Sequence, residues 1–266
     1  MPAIRSSVFV SACVALVLLA APVSAQPPDP AATSAVAPTA APEKELTIGN
    51  GLQVLHGKID AVALNTSIDW NQQFRRSVVD LTVNATSQLA GGQWTRTANA
   101  NWINRWASVT SHGRRPYPMT HVWLQHDESL GVDLRATAGA GLGSHLVNRP
   151  KLNVTLEGGV GHTIEEVTDR DGSYITFFGG PLIRWTVNER VSVTSHSLLY
   201  ENQERKTDVR INSEFDMNVQ LTKYIGMQNQ VLYFYDREPV TGFPPNSVQA
   251  SVNLTFSLRS GPPAQK

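Results

Sequence analysis

Between Asp208 and Leu221 the chain reads "DVRINSEFDMNVQL", and apolar and polar residues alternate at almost every position. Successive side chains on a strand point to opposite faces. Val209, Ile211, Phe215, Met217, Val219 and Leu221 therefore share one face, and Arg210, Asn212, Glu214, Asp216, Asn218 and Gln220 the other. Only Ser213 interrupts the apolar set. Near the C-terminus Val248, Ala250, Val252, Leu254, Phe256 and Leu258 alternate with Gln249, Ser251, Asn253, Thr255, Ser257 and Arg259. Upstream, Val79, Leu81, Val83 and Ala85 alternate with Asp80, Thr82, Asn84 and Thr86, and the same period runs through Val62–Trp70, Leu134–Leu142, Leu152–Val160 and Ile225–Tyr235. No segment sustains a helical period, so the pattern predicts an all-β chain.

Turn-forming clusters separate these runs: "AGG" from Ala90, "NRP" from Asn148, "DRDG" from Asp169, "NER" from Asn188 and "PVTGFPPNS" from Pro239. They delimit about eleven clear strands, with a weaker candidate over Leu46–Leu55. Even strand numbers in single-chain bacterial barrels make about twelve the expectation, or ten if two runs merge. Long and short connections alternate when counted back from the C-terminus, as in spanning barrels with short periplasmic turns and longer outer loops. In that count Ile164–Ser173 reads as a long outer loop. The alternation falters at "SVTSHGRRPYP", Ser108–Pro118, a long segment on the periplasmic side.

A soluble barrel or sandwich would also alternate, with its apolar face buried. Three features favour an antiparallel transmembrane β-barrel over residues 46–259. The strands are roughly twice the length usual in globular proteins. Charges recur in the polar phase. Aromatic residues gather near strand ends, as interfacial girdles do; the candidates are Trp70, Trp94, Trp102, Trp106, Trp185, Tyr224, Tyr233, Tyr235 and Phe256.

The N-terminal residues sharpen the address. Residues 1–25 carry one arginine, an apolar run over Val8–Ala21 and the small-residue site Val23-Ser24-Ala25, the signature of a cleaved secretory signal. The run is too short for a membrane helix, which needs roughly 20 residues. The single cysteine, Cys13, lies within this signal; the apolar run continues past it, so it does not read as a lipidation site. Residues 26–45 are rich in Pro and Ala and read as a disordered periplasmic segment, and residues 260–266 as a tail. Lysine plus arginine number 22 and aspartate plus glutamate 22, so net charge gives no argument for nucleic acid. The expected location is the outer membrane. The expected partners are its lipid and lipopolysaccharide and the barrel-assembly machinery, with the protein a monomer.

Two adjacent glycine-rich strands in "GVDLRATAGAGLGSHLVNRPKLNVTLEGGVGHTIEEVTDRDG", Gly131–Gly172, and the terminal "SVNLTFSL" resemble the salt-induced outer-membrane proteins, whose domain is of unknown function. The resemblance covers most of the chain after about Gly57. It implies a twelve-stranded outer-membrane barrel and supplies no catalytic residues. The tail "RSGPPAQK" departs from the terminal aromatic that such barrels present to the assembly machinery, which leaves Phe256 to serve internally.

Candidate chemistry lies mainly in charges of the polar phase: Asp80, Arg105, Asp133, Arg135, Glu157, Arg184, Arg210, Glu214 and Asp216, with Asp69 and Arg76 beside them. All are expected to line the lumen. Opposite charges on neighbouring strands can form a bracing ionic network, or a constriction that orients a small polar solute in a narrow channel. Gly139, Gly141 and Gly143, followed by Gly158, Gly159 and Gly161, do not match the dinucleotide fingerprint, and no helix follows to hold phosphate. They are expected to make room for bulky lumen neighbours. Ser195-His196-Ser197 cannot converge, because adjacent strand residues face opposite ways, and the same holds for His121 and His126. His162 with Glu165 and Glu166 is the best candidate for a base at the rim, but no nucleophile accompanies it, so no enzyme is expected. Asp169-x-Asp171-Gly172 is a fragment of a calcium loop without its closing glutamate. No cofactor is expected.

Overall fold

A strand that alternates over more than ten residues has one apolar face to cover and one polar face to satisfy. Closing the sheet on itself separates the two without leaving an open edge. The computed structural model describes residues 44–55, 61–74, 77–106 and 116–260. The signal and most of the Pro/Ala-rich segment, Arg76, residues 107–115 and the tail after 260 lie outside the described residues.

The chain forms β1 (Lys44–Leu55), β2 (Ala61–Gln73), β3 (Val78–Ala90), β4 (Gln93–Arg105), β5 (Tyr117–Asp127), β6 (Val132–Arg149), β7 (Leu152–Val167), β8 (Arg170–Thr186), β9 (Val191–Asn202), β10 (Val209–Gln220), β11 (Ile225–Asp236) and β12 (Asn246–Ser260). Each pairs antiparallel with its neighbours, and β1 pairs with β12 to close a twelve-stranded barrel. Lys44 and Glu45, expected in the linker, belong to β1, and Ser260, expected in the tail, to β12. The weak run over Leu46–Leu55 is a full strand. Because Lys44 pairs with Ser260, both chain ends of the barrel lie at one end, called here the terminal end.

Register sets the faces. In β10, Arg210 pairs with Asp236 and Tyr200, and Asp216 with Gln230 and Thr194, so the polar phase of one strand meets that of the next. The apolar phase forms the outer surface, where Leu142, Val248 and Leu254 are 60%, 64% and 64% exposed. Leu81, in register with Trp70 and Trp102, is buried. Trp94, Trp106, Trp185, Tyr224 and Phe256 are also exposed there.

Two sequence expectations need correction. Residues 164–173 do not form a long loop: β7 runs to Val167 and β8 starts at Arg170, leaving a two-residue connection. Charged Glu165 and Glu166 made the segment look like a loop, but the barrel buries Glu165 and exposes Glu166 on alternate faces. In the second, a register shift near the β5–β6 turn, between Gln125 and Asp127 and again between Val132 and Leu134, moves the phase by one residue. Val132 turns inward and Asp133 is exposed, so Asp133 does not line the lumen.

The β3–β4, β6–β7 and β7–β8 connections are two residues each. Gly91 and Gly92 take φ of 58° and 80° in the two-residue β3–β4 hairpin, the geometry that suits the right-handed twist of paired strands.

Candidate functional site: the barrel lumen

Strand β5 serves as a ruler through the lumen, since every second residue from Tyr117 to Asp127 is buried and points inward. Tyr117, nearest the terminal end, donates to Glu157 Oε1 at 2.8 Å. Met119, His121 and Trp123 follow. Gln125 then meets Arg135 at 3.4 Å, and Asp127 caps the far turn through Ser129 and Leu130. Ionic, apolar and again ionic levels therefore succeed one another along the barrel axis.

At the terminal level Arg105 (β4) grips Glu157 (β7) with two nitrogens, Nη2 at 3.0 Å, and its Nη1 reaches Asp80. Arg184 (β8) contributes Nη2 to the same Asp80 at 2.9 Å, nearly across the barrel from β3. Two carboxylates thus neutralise two guanidiniums, and Asn71 and Tyr117 complete their hydrogen bonding. Such completion makes a buried pair tolerable.

The middle level is apolar and aromatic. Trp123 and Tyr200 stack at 5.3 Å between ring centroids, and Phe178 lies 5.1 Å from His121. Met119, Leu198, Leu232 and Phe234 pack with them in one cluster. A water-filled channel would leave these side chains accessible, yet His121 is 0%, Met119 1%, Tyr200 1% and Trp123 5% exposed. The lumen is filled here by side chains.

Glycines make this filling feasible. A Cβ on Gly143 would sit 2.4 Å from the Tyr117 ring, and one on Gly139 2.7 Å from the Phe178 ring. The two rings occupy the space those side chains would take. Sequence reading placed the glycines in the lumen but not the aromatic residues that lean on them. The available signal was "YPMTHVWLQHD", whose faces are both bulky, paired with "AGAGLG".

At the far level Arg135 (β6) donates to Glu165 at 3.1 Å and to Asp236 at 3.0 Å, and Tyr174 donates to Glu165 at 2.9 Å. Arg205 stands 3.7 Å from Glu165 and 3.3 Å from Asp208. Arg210 is 2% exposed, and its guanidinium makes no hydrogen bond among the described residues. It is held by charge alone, 3.6 Å from Asp208 and 3.9 Å from Glu165, with its guanidinium 5.5 Å from the Tyr174 ring centroid.

The β11–β12 connection closes over this end. Val240 is buried, and Phe243 packs against the cluster and against Gly131, where a Cβ would lie 2.7 Å from its ring. Thr241 donates from its backbone nitrogen and its hydroxyl to Asp169 at 2.9 and 2.7 Å. Asp169, read as part of a calcium fragment, thus tethers this strap.

Asp80, Arg105, Glu157 and Arg184 meet in one cluster and Arg135 and Arg210 in another. Glu214 and Asp216 face a cavity of about 530 Å³ in the terminal half. It extends from Thr47, Asn188 and Gln220 up to Ile103, Leu182 and His196. Asp133 is exposed. His162 is exposed on the outer face, away from buried Glu165, so the expected rim base is not assembled. His196 points inward while Ser195 and Ser197 belong to the outer phase.

A closed antiparallel barrel with an apolar exterior and an interior filled by side chains, ionic at both ends, has the architecture of a transmembrane β-barrel. The chain belongs to the family described as "Protein of unknown function, DUF481", whose model matches residues 51–258, in keeping with the resemblance carried by Gly131–Gly172. Among solved structures it is similar to an outer membrane channel from Pseudomonas putida F1, at 10% identity over 88% of this chain and 100% of that one, with a TM-score of 0.45. It is also similar to the NanC porin, at 9% identity over 82% and 98%, with a TM-score of 0.42. A third is the translocator domain of the autotransporter NalP from Neisseria meningitidis, at 10% identity over 82% and 88%, with a TM-score of 0.41. At such low identity these likenesses carry nothing about activity. No curated protein matches.

Proposed function

We propose that the protein is a monomeric outer-membrane β-barrel that does not conduct solutes in its resting state and acts as a structural or surface-binding element of the envelope. The observation that carries this reading is the aromatic level around Trp123 and Tyr200, buried from solvent between two ionic levels. The exposed apolar belt supports contact with lipid, and its aromatic residues near strand ends support interfacial anchoring beside lipopolysaccharide. The signal-like pattern of residues 1–25 and the position of Phe256 on the outer face of the last strand support delivery to the barrel-assembly machinery.

The reading is non-enzymatic and requires no cofactor. A narrow channel is the competing reading, favoured only by the polar cavity in the terminal half. Membrane fractionation combined with liposome swelling tests the choice. The protein is expected with outer-membrane markers, and proteoliposomes loaded with it are expected to swell in small sugars no faster than empty ones. Swelling that grows with protein content would overturn the closed reading.

A further inference from the structure

Strands β1 and β12 close the barrel near the terminal end and then part. Their pairing runs from Lys44 opposite Ser260 to Asn50 opposite Leu254, and among the described residues it goes no further. Both strands continue. β1 stays paired with β2 as far as Leu55, and β12 with β11 back to Asn246. Residues 51–55 and 246–253 thus keep one strand neighbour and lack the other. Gly49 and Gly51 flank the last paired residue, and a strand bends most readily where it carries no side chain. Gln249 accepts from Thr97 of β4 at 3.3 Å, which holds β12 from inside and leaves β1 as the strand that turns away.

The parted edge of β12 is polar backbone in an apolar setting. Alternate residues of a strand direct N–H and C=O to opposite neighbours. Ser257 donates its N–H to Tyr224, beside β11, so Val248, Ala250 and Val252 direct theirs toward β1. A Cβ on Gly51 would lie 2.6 Å from the Val252 carbonyl oxygen, which places that oxygen in the seam. The side chains of the same residues belong to the outer belt, with Val248 and Val252 64% and 58% exposed. Hydrocarbon offers these backbone groups no partner. Open edges are ordinarily blocked by charge or proline, yet residues 51–55 and 246–253 contain neither. Asn253, fully buried where the strands part, also has a side-chain oxygen without a hydrogen-bond partner among the described residues.

We propose that the parted seam is a strand-addition site whose occupant is an extended peptide segment of another protein, paired antiparallel with β12 over residues 246–253. Backbone supplies the complementary chemistry: the N–H and C=O groups of Val248, Ala250 and Val252 match an extended chain, whereas a lipid tail has neither group. Alternation supplies the specificity, since paired residues share a face. Apolar side chains fall opposite Val248, Ala250 and Val252, and polar ones opposite Gln249 and Ser251. The seam opens toward the far end, so the segment enters there and leaves the filled lumen undisturbed. This gives the surface-binding role proposed above its kind of partner, and it rests on that reading only for the side of the membrane from which the partner comes.

The probe is a fluorescently labelled, lysine-capped peptide of alternating valine and threonine, titrated against the full-length protein in detergent, with folding checked by heat-shifted gel migration. Saturable binding, read by anisotropy, is expected. The probe's valines pair with Val248, Ala250 and Val252, so N-methylating every valine is expected to weaken binding by about tenfold or more, and N-methylating every threonine to leave it unchanged. Ala250→Pro deletes an edge N–H that serves no strand, so the variant is expected to fold normally and to lose the peptide. Should it not fold, Val248→Pro carries the same expectation, and misfolding of both would show those N–H groups already paired and overturn the proposal. Equal binding of the three peptides would mean apolar adsorption to the belt. A wild-type dimer that Ala250→Pro dissolves would assign the seam to a second copy. Either result, or absence of saturable binding, or affinity unchanged in the proline variants, overturns the proposal. Because binding is read on purified protein, it stands or falls separately from conductance and location.

Discussion

Arg135 and Asp236, 101 positions apart in sequence, meet at 3.0 Å inside the barrel, and Arg135 also holds Glu165 at 3.1 Å. Removing this cation leaves two buried carboxylates short of a partner. Arg135→Met is therefore expected to destabilise the barrel by about 3–5 kcal/mol, the cost of breaking a buried pair from one side. Arg210→Met provides the contrast, because the Arg210 guanidinium is buried without a hydrogen bond among the described residues. Its attraction to Asp208 and Glu165 only partly offsets its desolvation, so the loss is expected to stay within about 1 kcal/mol. Urea unfolding in detergent micelles measures both, and equal losses would contradict the assignment.

Gly143 exists to admit the Tyr117 ring, since a Cβ there would lie 2.4 Å away. Gly143→Ala is expected to cost about 1–3 kcal/mol through overpacking. Combining it with Tyr117→Leu should give a smaller cost than the two single changes added, measured as a double-mutant cycle. Additivity would mean that the clash is relieved elsewhere.

The strap over the far end hangs on Asp169, which accepts both hydrogen bonds from Thr241. Asp169→Ala is expected to speed amide exchange across residues 238–243 while leaving the midpoint of global unfolding nearly unchanged. Exchange confined to its wild-type rate would show that Val240 and Phe243 hold the strap unaided.

Face assignment has its own optical test. Trp94 and Trp185 are exposed on the outer surface, whereas Trp123 is stacked on Tyr200 in the lumen. In single-tryptophan variants reconstituted with brominated lipids, the first two are expected to be quenched and Trp123 spared. Quenching of Trp123 alone would invert the barrel's faces.

Periodicity made the outer face legible, because a lipid-facing phase must be apolar at every second position. Val209, Ile211, Phe215 and Met217 lie on that face and Arg210, Glu214 and Asp216 on the other, as the alternation in "DVRINSEFDMNVQL" implies. Alternation carries no information about what a lumen residue meets across the barrel. The partnership of Arg184 with Asp80 spans nearly the full barrel, and the level at Trp123 and Tyr200 is assembled from β5 and β9, so neither is visible in any local window. Asp133 was misplaced because a register shift in one turn reverses the phase, and the charges of Glu165 and Glu166 disguised strand as loop.

Side chains close the lumen at the level of Met119, Trp123, Phe178 and Tyr200. Planar-bilayer recording on the purified full-length barrel tests it most directly. The closed account predicts insertion without steady conductance steps, and their appearance only when Trp123 and Tyr200 are both replaced by alanine. Stable ohmic steps from the unaltered protein would contradict it.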